Sequence, residues 1–488
     1  MDVIAIFDVG KTNKKLLLFD AGYQVVFEEQ TQWEEILDDD GFHGDDLDRL
    51  TTWLRGSLDA VLADERFSIK AVNFAAYGAS LVHLDGEGRP VTPLYNYLKP
   101  FPEDLHREFY GQFGSPQFFC AETASPDLGM LNSGLQLYWL KHTKPWIFRQ
   151  IEHSLHLPQY ASFVLTGRPV AEITSIGCHT ALWNFAREKY HRWVFDEGLH
   201  SLGQMVLPSF VTVKRHHPLP PQGGSFSGTK KPLQGAGGKA LEIGVGIHDS
   251  SAALVPYLMA FSEPFLLLST GTWCIAMNPF SQEPLTMDEL RRDCLCYLNF
   301  RGEPVKSSRL FAGNEHERRV KLLAEYFGVP ADFYKTIACN PTLIASLRER
   351  FPQARPEDAE LGSLRDSAFA DRNLNEFADA TEAYTQLLLD LMAQQIASIR
   401  LAWGGTAVTK LFVDGGFSRN PIYMHLLAEA FPDLEVYASE LAQATALGAA
   451  LVIAPSWNPR PFGGELFKLK KFDASTYPTA SLRAEKIK

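Results

Sequence analysis

Asp249 lies in Gly244-Val245-Gly246-Ile247-His248-Asp249-Ser250-Ser251, where a carboxylate stands beside a histidine and two hydroxyls at an expected helix start. A carboxylate there can be a helix N-cap. It can also be a general base that takes a hydroxyl proton in a cleft, because domain junctions commonly hold ligands. Three further turns carry groups suited to phosphate. Asp8-Val9-Gly10-Lys11-Thr12-Asn13-Lys14-Lys15 centres on a glycine. Its turn N–H groups, Thr12 and Asn13 can donate to phosphate oxygens, and Lys11 and Lys15 can offset their charge. Asp8 can hold Mg²⁺ directly or through water. Ser269-Thr270-Gly271-Thr272-Trp273 places small donors at a second turn. Asp414-Gly415-Gly416-Phe417-Ser418-Arg419-Asn420 sets paired glycines where backbone can approach a base or ribose closely. Taken singly, these are also readable as a charged hairpin tip, an ordinary Thr/Gly turn and a packing turn.

The elements that must position these turns follow from the apolar pattern. Val3–Phe7 and Leu16–Phe19 are short apolar runs around the first turn, which predicts a β-hairpin with a polar tip. Pro264–Leu268 and Cys274–Met277 flank the second turn in the same way, so a strand, a Gly/Thr turn and a strand open each half of the chain. A strand over Lys70–Phe74 leads to Tyr77-Gly78-Ala79-Ser80, and one over Lys410–Val413 leads to the Gly-Gly turn. Helical spacing predicts helices over 129–141, 158–165, 376–403, 421–430 and 442–454. The stretch from His216 to Gly238 is rich in Pro and Gly and reads as a linker just before a domain boundary.

Composition sets the class. The chain has 488 residues, 45% apolar and 21% charged, enough for two or three soluble domains with large cores. A formal net charge of −12 argues against nucleic acid, which is bound mainly through neutralised phosphates. An anionic ligand must then be held by local devices such as backbone N–H groups, Mg²⁺ or a few lysines. The six cysteines show no CxxC pair or spaced Cys/His set, and they read as buried thiols in a reducing, cytoplasmic setting. No signal peptide or membrane-spanning run is expected from the N-terminus, Met1-Asp2-Val3-Ile4-Ala5-Ile6-Phe7.

These motifs, in this order, resemble those of the FGGY carbohydrate kinases, relatives of the heat-shock chaperone ATPases and actin. The turns at Asp8 and Ser269 resemble the family's two phosphate loops, and the turn at Asp414 resembles its adenosine motif. His248-Asp249 resembles the segment with the catalytic aspartate. Gln443-Ala444-Thr445-Ala446-Leu447-Gly448-Ala449-Ala450 looks like the helix closing its second domain. Within the family, Tyr77-Gly78-Ala79-Ser80-Leu81-Val82-His83-Leu84-Asp85 looks like the first sugar loop of rhamnulokinases and fuculokinases. Those kinases usually have Asp at Ser80, and a small residue is common at Phe417. The Met-His-Gly of xylulokinases is missing from the first sugar loop.

The resemblance implies an α/β fold of two actin-like (ribonuclease H-like) domains, with mixed sheets flanked by helices and an active-site cleft between them. The expected bounds are 1–243 and 244–455, with a tail over 456–488. It implies Asp249 as base and Asp8 as Mg²⁺ ligand. MgATP is expected on Asp8, Gly10, Lys11, Thr12, Asn13, Lys15, Thr270, Gly271, Thr272, Gly415, Gly416, Ser418 and Asn420. A sugar is expected on Gly78, Ala79, Ser80, His248 and Asp249. The expected acceptor is a ketose, a 6-deoxyketohexose such as L-rhamnulose or L-fuculose, with a pentulose next. Nucleic acid and membrane are not expected as partners, and a homodimer is left open. A non-catalytic sensor on the same fold would not need Asp249.

Overall fold

The computed structural model describes residues 1–203, 205–214, 241–359, 361, 365–441 and 443–473. The Pro/Gly-rich stretch His216–Gly238, Ala442 and the end of the expected tail lie outside the described residues.

The first half is built on β1 (Asp2–Val9), β2 (Lys14–Asp20), β3 (Val25–Thr31), β4 (Ser68–Ala76), β5 (Thr212–Lys214), β6 (Glu242–Gly244) and β7 (Ile247–His248). Their order is β5-β6-β4-β1-β2-β3, with β7 paired to β4. The hairpin β1–β2 is antiparallel, whereas β4 lies parallel to β1, and β6 and β7 lie parallel to β4. The second half repeats the plan with β8 (Phe265–Thr270), β9 (Cys274–Asn278), β10 (Cys294–Leu298), β11 (Pro304–Leu310), β12 (Lys410–Gly415), β13 (Glu435–Ser439) and β14 (Leu469–Phe472). Their order is β10-β11-β9-β8-β12-β13-β14. β8–β9 is again an antiparallel hairpin, with β12 parallel to β8.

Successive residues of a strand face opposite sides of its sheet, and both central strands are apolar on both faces. Val3, Ala5 and Phe7 pack into an outer core with the helix Leu47–Ala63, here α1, while Ile4 and Ile6 face a core shared by the two halves. In β8, Leu267 faces that same shared core, and Leu266 and Leu268 face the outer core of the second half. Continuous apolar runs such as Val3–Phe7 are what a sheet covered on both sides requires.

Further helices are α2 (Ser133–Thr143), α3 (Leu157–Thr166), α4 (Asp249–Ala260), α5 (Ala312–Phe327), α6 (Ala380–Trp403), α7 (Pro421–Ala430) and α8 (Ala444–Val452). Between the sheets, α4 and α8 cross closely. A Cβ added at Gly448 would fall 1.9 Å from the Ala252 carbonyl oxygen, so only glycine allows this approach. The expected helix over 129–141 is broken at Asn132, whose side chain bonds Leu128, Ser125 and His179 instead of continuing a helix. The helix expected over 376–403 begins at Ala380, because Asp379 caps it by accepting from the Thr381 and Glu382 N–H groups. All six cysteines are free and buried. Among the described residues, no helix is long and apolar enough to cross a membrane.

Candidate active site

Parallel pairing fixes where the site forms. In register, Asp8 lies opposite Ala75, and His248 lies opposite Ala76. The C-terminal ends of β1, β4 and β7 therefore deliver Asp8, the Tyr77–Ala79 loop and Asp249 to one edge of the first sheet. In open α/β sheets this carboxyl-end edge is where ligands bind. In the second half, Thr270 lies opposite Gly415, which brings the Ser269–Trp273 turn beside the Gly-Gly turn.

Asp249 is the first residue of α4. His248 takes the N-cap position, and no side chain caps this end. Asp249 Oδ1 accepts from the Ser250 N–H at 2.6 Å, and His248 Nε2 lies 3.4 Å away. The Asp249 side chain keeps 34% of its exposure, so it faces open space and is not consumed by capping. Asp8 is half-buried, and its carboxylate accepts no hydrogen bond from the described residues. Burial, together with the charge of Asp249, pushes Asp8 up to about 7, against the opposing pull of Lys15. A half-buried carboxylate repelled by a second one and bonded to nothing has the chemistry of a divalent-cation ligand, so these residues fit Mg²⁺.

A cavity of about 490 Å³ opens over Asp249. Tyr77, Gly78, Ala79, Met130, Leu131 and His179 line it from the first half, and Trp273, Tyr297 and Arg309 reach it from the second. A Cβ at Gly78 would fall 2.7 Å from His248 Nε2, so a larger residue there would push the histidine out of place. Ala79 holds φ 59°, a left-handed conformation that costs a residue with a Cβ and that clusters at ligand sites. Gln136, buried on α2, donates to both Ala79 O and Met130 O at 2.7 Å and so pins two parts of the cavity wall. Arg309 is buried and paired with Asp293 at 2.6 Å, and its guanidinium lies 5.3 Å from the centre of the Trp273 ring. Lys99 is paired with both Asp38 and Asp40.

A second cavity, of about 580 Å³, lies over the second sheet. Thr270, Gly271, Gly313, His316, Gly416, Phe417 and Asn420 are among its walls. Gly415 has φ +90°, and a Cβ there would meet the Thr270 carbonyl oxygen at 2.0 Å. Gly416 has φ −62° and nothing closer than 3.8 Å, so its lack of a side chain leaves the cavity open. Thr270 Oγ1 donates to Asp414 O and accepts from Phe417 N–H at 3.0 Å, locking the two turns together. Asn420 caps α7 through its Oδ1 and donates to the Tyr384 hydroxyl, and Ser418 Oγ donates to Gly415 O. Burial raises Asp414 to about 6, against hydrogen bonds from Gly415 N–H and Tyr257 OH. Phe417 stacks on Tyr423 at 4.5 Å, so its bulk is absorbed by the core.

The expected site residues fall in several places: Gly78, Ala79, His248 and Asp249 line the first cavity, Thr270, Gly271, Gly416 and Asn420 the second, and Gly415 and Ser418 a third behind the Gly-Gly turn. Gly10, Thr12, Thr272 and Gly271 lie on the two turns, with Thr12, Gly271 and Thr272 exposed. Lys15 reaches Gln443 at the N-terminus of α8. Lys11 does not stand free for phosphate: its ammonium pairs with Asp45 at 2.8 Å and Glu35 at 2.7 Å. Asn13 turns toward the end of β3, where its Oδ1 accepts from Gln30 and from Gln32 just beyond the strand. Ser80 is 2% exposed and buried behind the cavity over Asp249 instead of lining it, and Leu81 is buried with it. The sequence reading missed Gln136, Tyr297 and Arg309. They lie on elements distant in sequence from any motif, and nothing in their local pattern sets them apart from core or strand residues.

Comparisons with known proteins identify the family. Residues 3–215 match the FGGY family of carbohydrate kinases, N-terminal domain, and residues 262–461 match the carbohydrate kinase FGGY, C-terminal domain. A rhamnulokinase of Klebsiella pneumoniae subsp. pneumoniae is 25% identical over 249 residues, 51% of this chain and 47% of that protein. One of Halalkalibacterium halodurans is 24% identical over 190 residues, 39% of this chain and 40% of that protein. The chain thus spans about half the length, or less, of the curated relatives it matches. Among solved structures, a carbohydrate kinase from Novosphingobium aromaticivorans superposes with a TM-score of 0.73 at 24% identity, covering 96% of this chain and 94% of that one. A xylulose kinase from Lactobacillus acidophilus superposes at 0.72 and 15% identity, covering 97% and 94%. Both neighbours share the two-domain architecture built on repeated sheets. With both domain families matched in order along the two halves, the chain belongs to the FGGY family of carbohydrate kinases.

Proposed function

We propose that the chain transfers the γ-phosphoryl group of MgATP to a hydroxyl of a neutral ketose, with Asp249 as base. The observation that carries this reading is the half-exposed Asp249 carboxylate at the floor of a cavity walled by both halves. Phosphoryl transfer depends mainly on position and charge. In this reading, the cavity over Asp249 orients the sugar so that one hydroxyl donates its hydrogen bond to the carboxylate. Asp249 then accepts that proton as the oxygen meets phosphorus. The triphosphate runs between the Asp8–Lys15 and Ser269–Trp273 turns, and adenosine occupies the cavity at Gly416. Asp8 would hold Mg²⁺, which supplies positive charge to the phosphate oxygens.

The cations of the sugar-side cavity are already matched. Arg309 is paired with Asp293, and Lys99 with Asp38 and Asp40. Asp249 adds an uncompensated negative charge. A substrate carboxylate would be desolvated there without a free partner, which favours a neutral sugar. Ala79, Phe101, Met130 and Leu131 form an apolar wall able to take a methyl end, and this, with the rhamnulokinase relatives, supports a 6-deoxyketohexose such as L-rhamnulose or L-fuculose. An ADP-release screen with MgATP over 6-deoxyketohexoses, pentuloses, glycerol and aldonates tests it. The expected result is highest kcat/KM for a 6-deoxyketohexose. Preference for a pentulose would move the assignment within the ketoses, and preference for glycerol or an aldonate would overturn it.

A further inference from the structure

Against the cavity floor, Cys178, His179 and His248 each offer a metal-ligating atom, and these atoms all lie within 4.8 Å of one another. The residues are buried, at 1%, 7% and 3% exposure, yet both histidines border the cavity, which gives an ion a way in.

The hydrogen bonding of the histidines has the pattern of ligands. His179 Nδ1 lies 3.0 Å from Leu131 O, and because a carbonyl only accepts, Nδ1 must carry the proton. That leaves Nε2 with its lone pair, and a backbone carbonyl on the far nitrogen is the usual support of a metal-bound imidazole. His248 Nε2 lies 3.4 Å from Asp249, and its Nδ1 is buried with no partner at all. A buried unpaired ring nitrogen is costly unless something meets it. The surrounding charges are Asp249 and Glu172 toward Cys178 and Arg309 toward His179, with Arg309 already matched by Asp293. The local balance is therefore negative and favours a cation.

We propose that Cys178, His179 and His248 form a site for a borderline-soft cation of the zinc class, and that its occupation excludes the sugar. One sulfur and two imidazoles suit Zn²⁺ or Co²⁺ and not Mg²⁺, which takes oxygen ligands. Three protein ligands leave a fourth position toward the cavity. On binding, the Cys178 S–H bond is replaced by a sulfur–metal bond and the proton leaves to solvent. The ion's fourth position then opens into the space over Asp249 that the sugar would use. The exclusion clause rests on the proposed sugar site, while the metal site stands on its own.

Adding Co²⁺ to the full-length protein without nucleotide should produce tetrahedral d–d absorption together with a thiolate-to-cobalt charge-transfer band, both displaced by Zn²⁺. Cys178→Ser should lose the charge-transfer band and weaken Zn²⁺ binding by about 100-fold or more. In the turnover assay, Zn²⁺ should raise the sugar KM about tenfold with the ATP KM unchanged, and Cys178→Ser should abolish this while keeping basal turnover. Absence of the charge-transfer band in the wild-type protein overturns the site whether or not the variant folds. Inhibition that persists in Cys178→Ser, or that follows ATP, overturns the exclusion. The spectra decide the metal site whatever sugar the screen identifies, so the two readings fail separately.

Discussion

Lys15 Nζ lies 3.0 Å from Gln443 Oε1, a hydrogen bond that joins the first phosphate-type turn to the start of α8 in the other half of the chain. Gln443 holds φ +57° and also donates toward Glu28, which itself lies 3.5 Å from Lys15. The two halves are thus tied at the mouth of the proposed nucleotide site by a lysine that phosphate would compete for.

The first prediction concerns proton transfer. Asp249→Asn keeps the shape and the hydrogen bond to Ser250 but removes the proton acceptor. Turnover should fall by about two to four orders of magnitude, with ATP affinity nearly unchanged. Turnover near that of the wild type, in the sugar-saturated assay, would take Asp249 out of the chemistry.

The second prediction separates the paired glycines. Gly416→Val places a branched side chain into the cavity from an unstrained backbone, so ATP binding should weaken at least about tenfold while melting temperature and sugar binding hold. Gly415→Ala instead drives a Cβ toward the Thr270 carbonyl from φ +90°, and should lower stability by about 1–3 kcal/mol. Calorimetric titration and thermal melts of both variants give the comparison. An equal loss of stability in Gly416→Val would show that its role is packing.

The motifs were legible because each joins a short apolar run to a turn whose chemistry is local. Asp8, Gly271, Asp249 and Gly416 could all be placed on strand ends or helix starts from their neighbours alone. The repeated hairpin in the two halves made the doubled architecture readable in the same way. What could not be read was set by long-range packing. Lys11 looked like a phosphate lysine until the fold brought Asp45 from 34 residues away. Ser80 belonged to a sugar-loop pattern, but the turn at Ala79 directs it behind the cavity. Arg309 and Gln136 are ordinary strand and helix residues whose importance comes from the surfaces they meet.

The third prediction tests how the sugar wall is held. Gln136→Leu is close in size but leaves the Ala79 and Met130 carbonyls without their donor. An unsatisfied buried carbonyl costs about 1–3 kcal/mol. Ala79 is already in a left-handed conformation, so this wall is the part expected to give way. Sugar KM should rise about tenfold with kcat and ATP KM little changed. Loss of kcat with an unchanged sugar KM would count against a positioning role.

The fourth prediction concerns pH. His83 is fully buried, its Nε2 lacks a partner, and burial pushes it down to about 4 from an ordinary value of 6.5. The unfolded chain therefore binds a proton below about pH 6.5 that the folded chain refuses until about pH 4. Stability should fall as pH drops through that window, by up to about 3 kcal/mol from this one group. Replacing it, as in His83→Gln, should lower stability at pH 7 yet flatten the dependence between pH 6.5 and 4. Parallel slopes for the two proteins in denaturant melts would mean that His83 does not titrate as its burial implies.

The last prediction concerns coupling across the cleft. The Asp8–Lys15 and Ser269–Trp273 turns belong to different sheets, and the halves meet through α4, which begins with Asp249, and α8, which begins next to Gln443. A triphosphate touching both turns should draw Lys15 from Gln443 and favour a closer approach of the halves. Sugar over Asp249 should favour the same arrangement, because Trp273, Tyr297 and Arg309 come to that cavity from the second half. Each ligand should then tighten the other by one common factor, whichever is added first. Gln443→Ala should free Lys15 and strengthen binding of a non-hydrolysable ATP analogue by about two- to tenfold, the worth of one hydrogen bond. Lys15→Met should weaken it, and the double variant should resemble Lys15→Met if Gln443 reaches the nucleotide through that lysine and not through Glu28. Scattering should show a smaller radius of gyration with both ligands than with neither. Additive binding energies with an unchanged scattering curve would mean a rigid, preformed cleft, and an effect of Gln443→Ala that survives in the Lys15→Met background would break the link between this pair and the nucleotide.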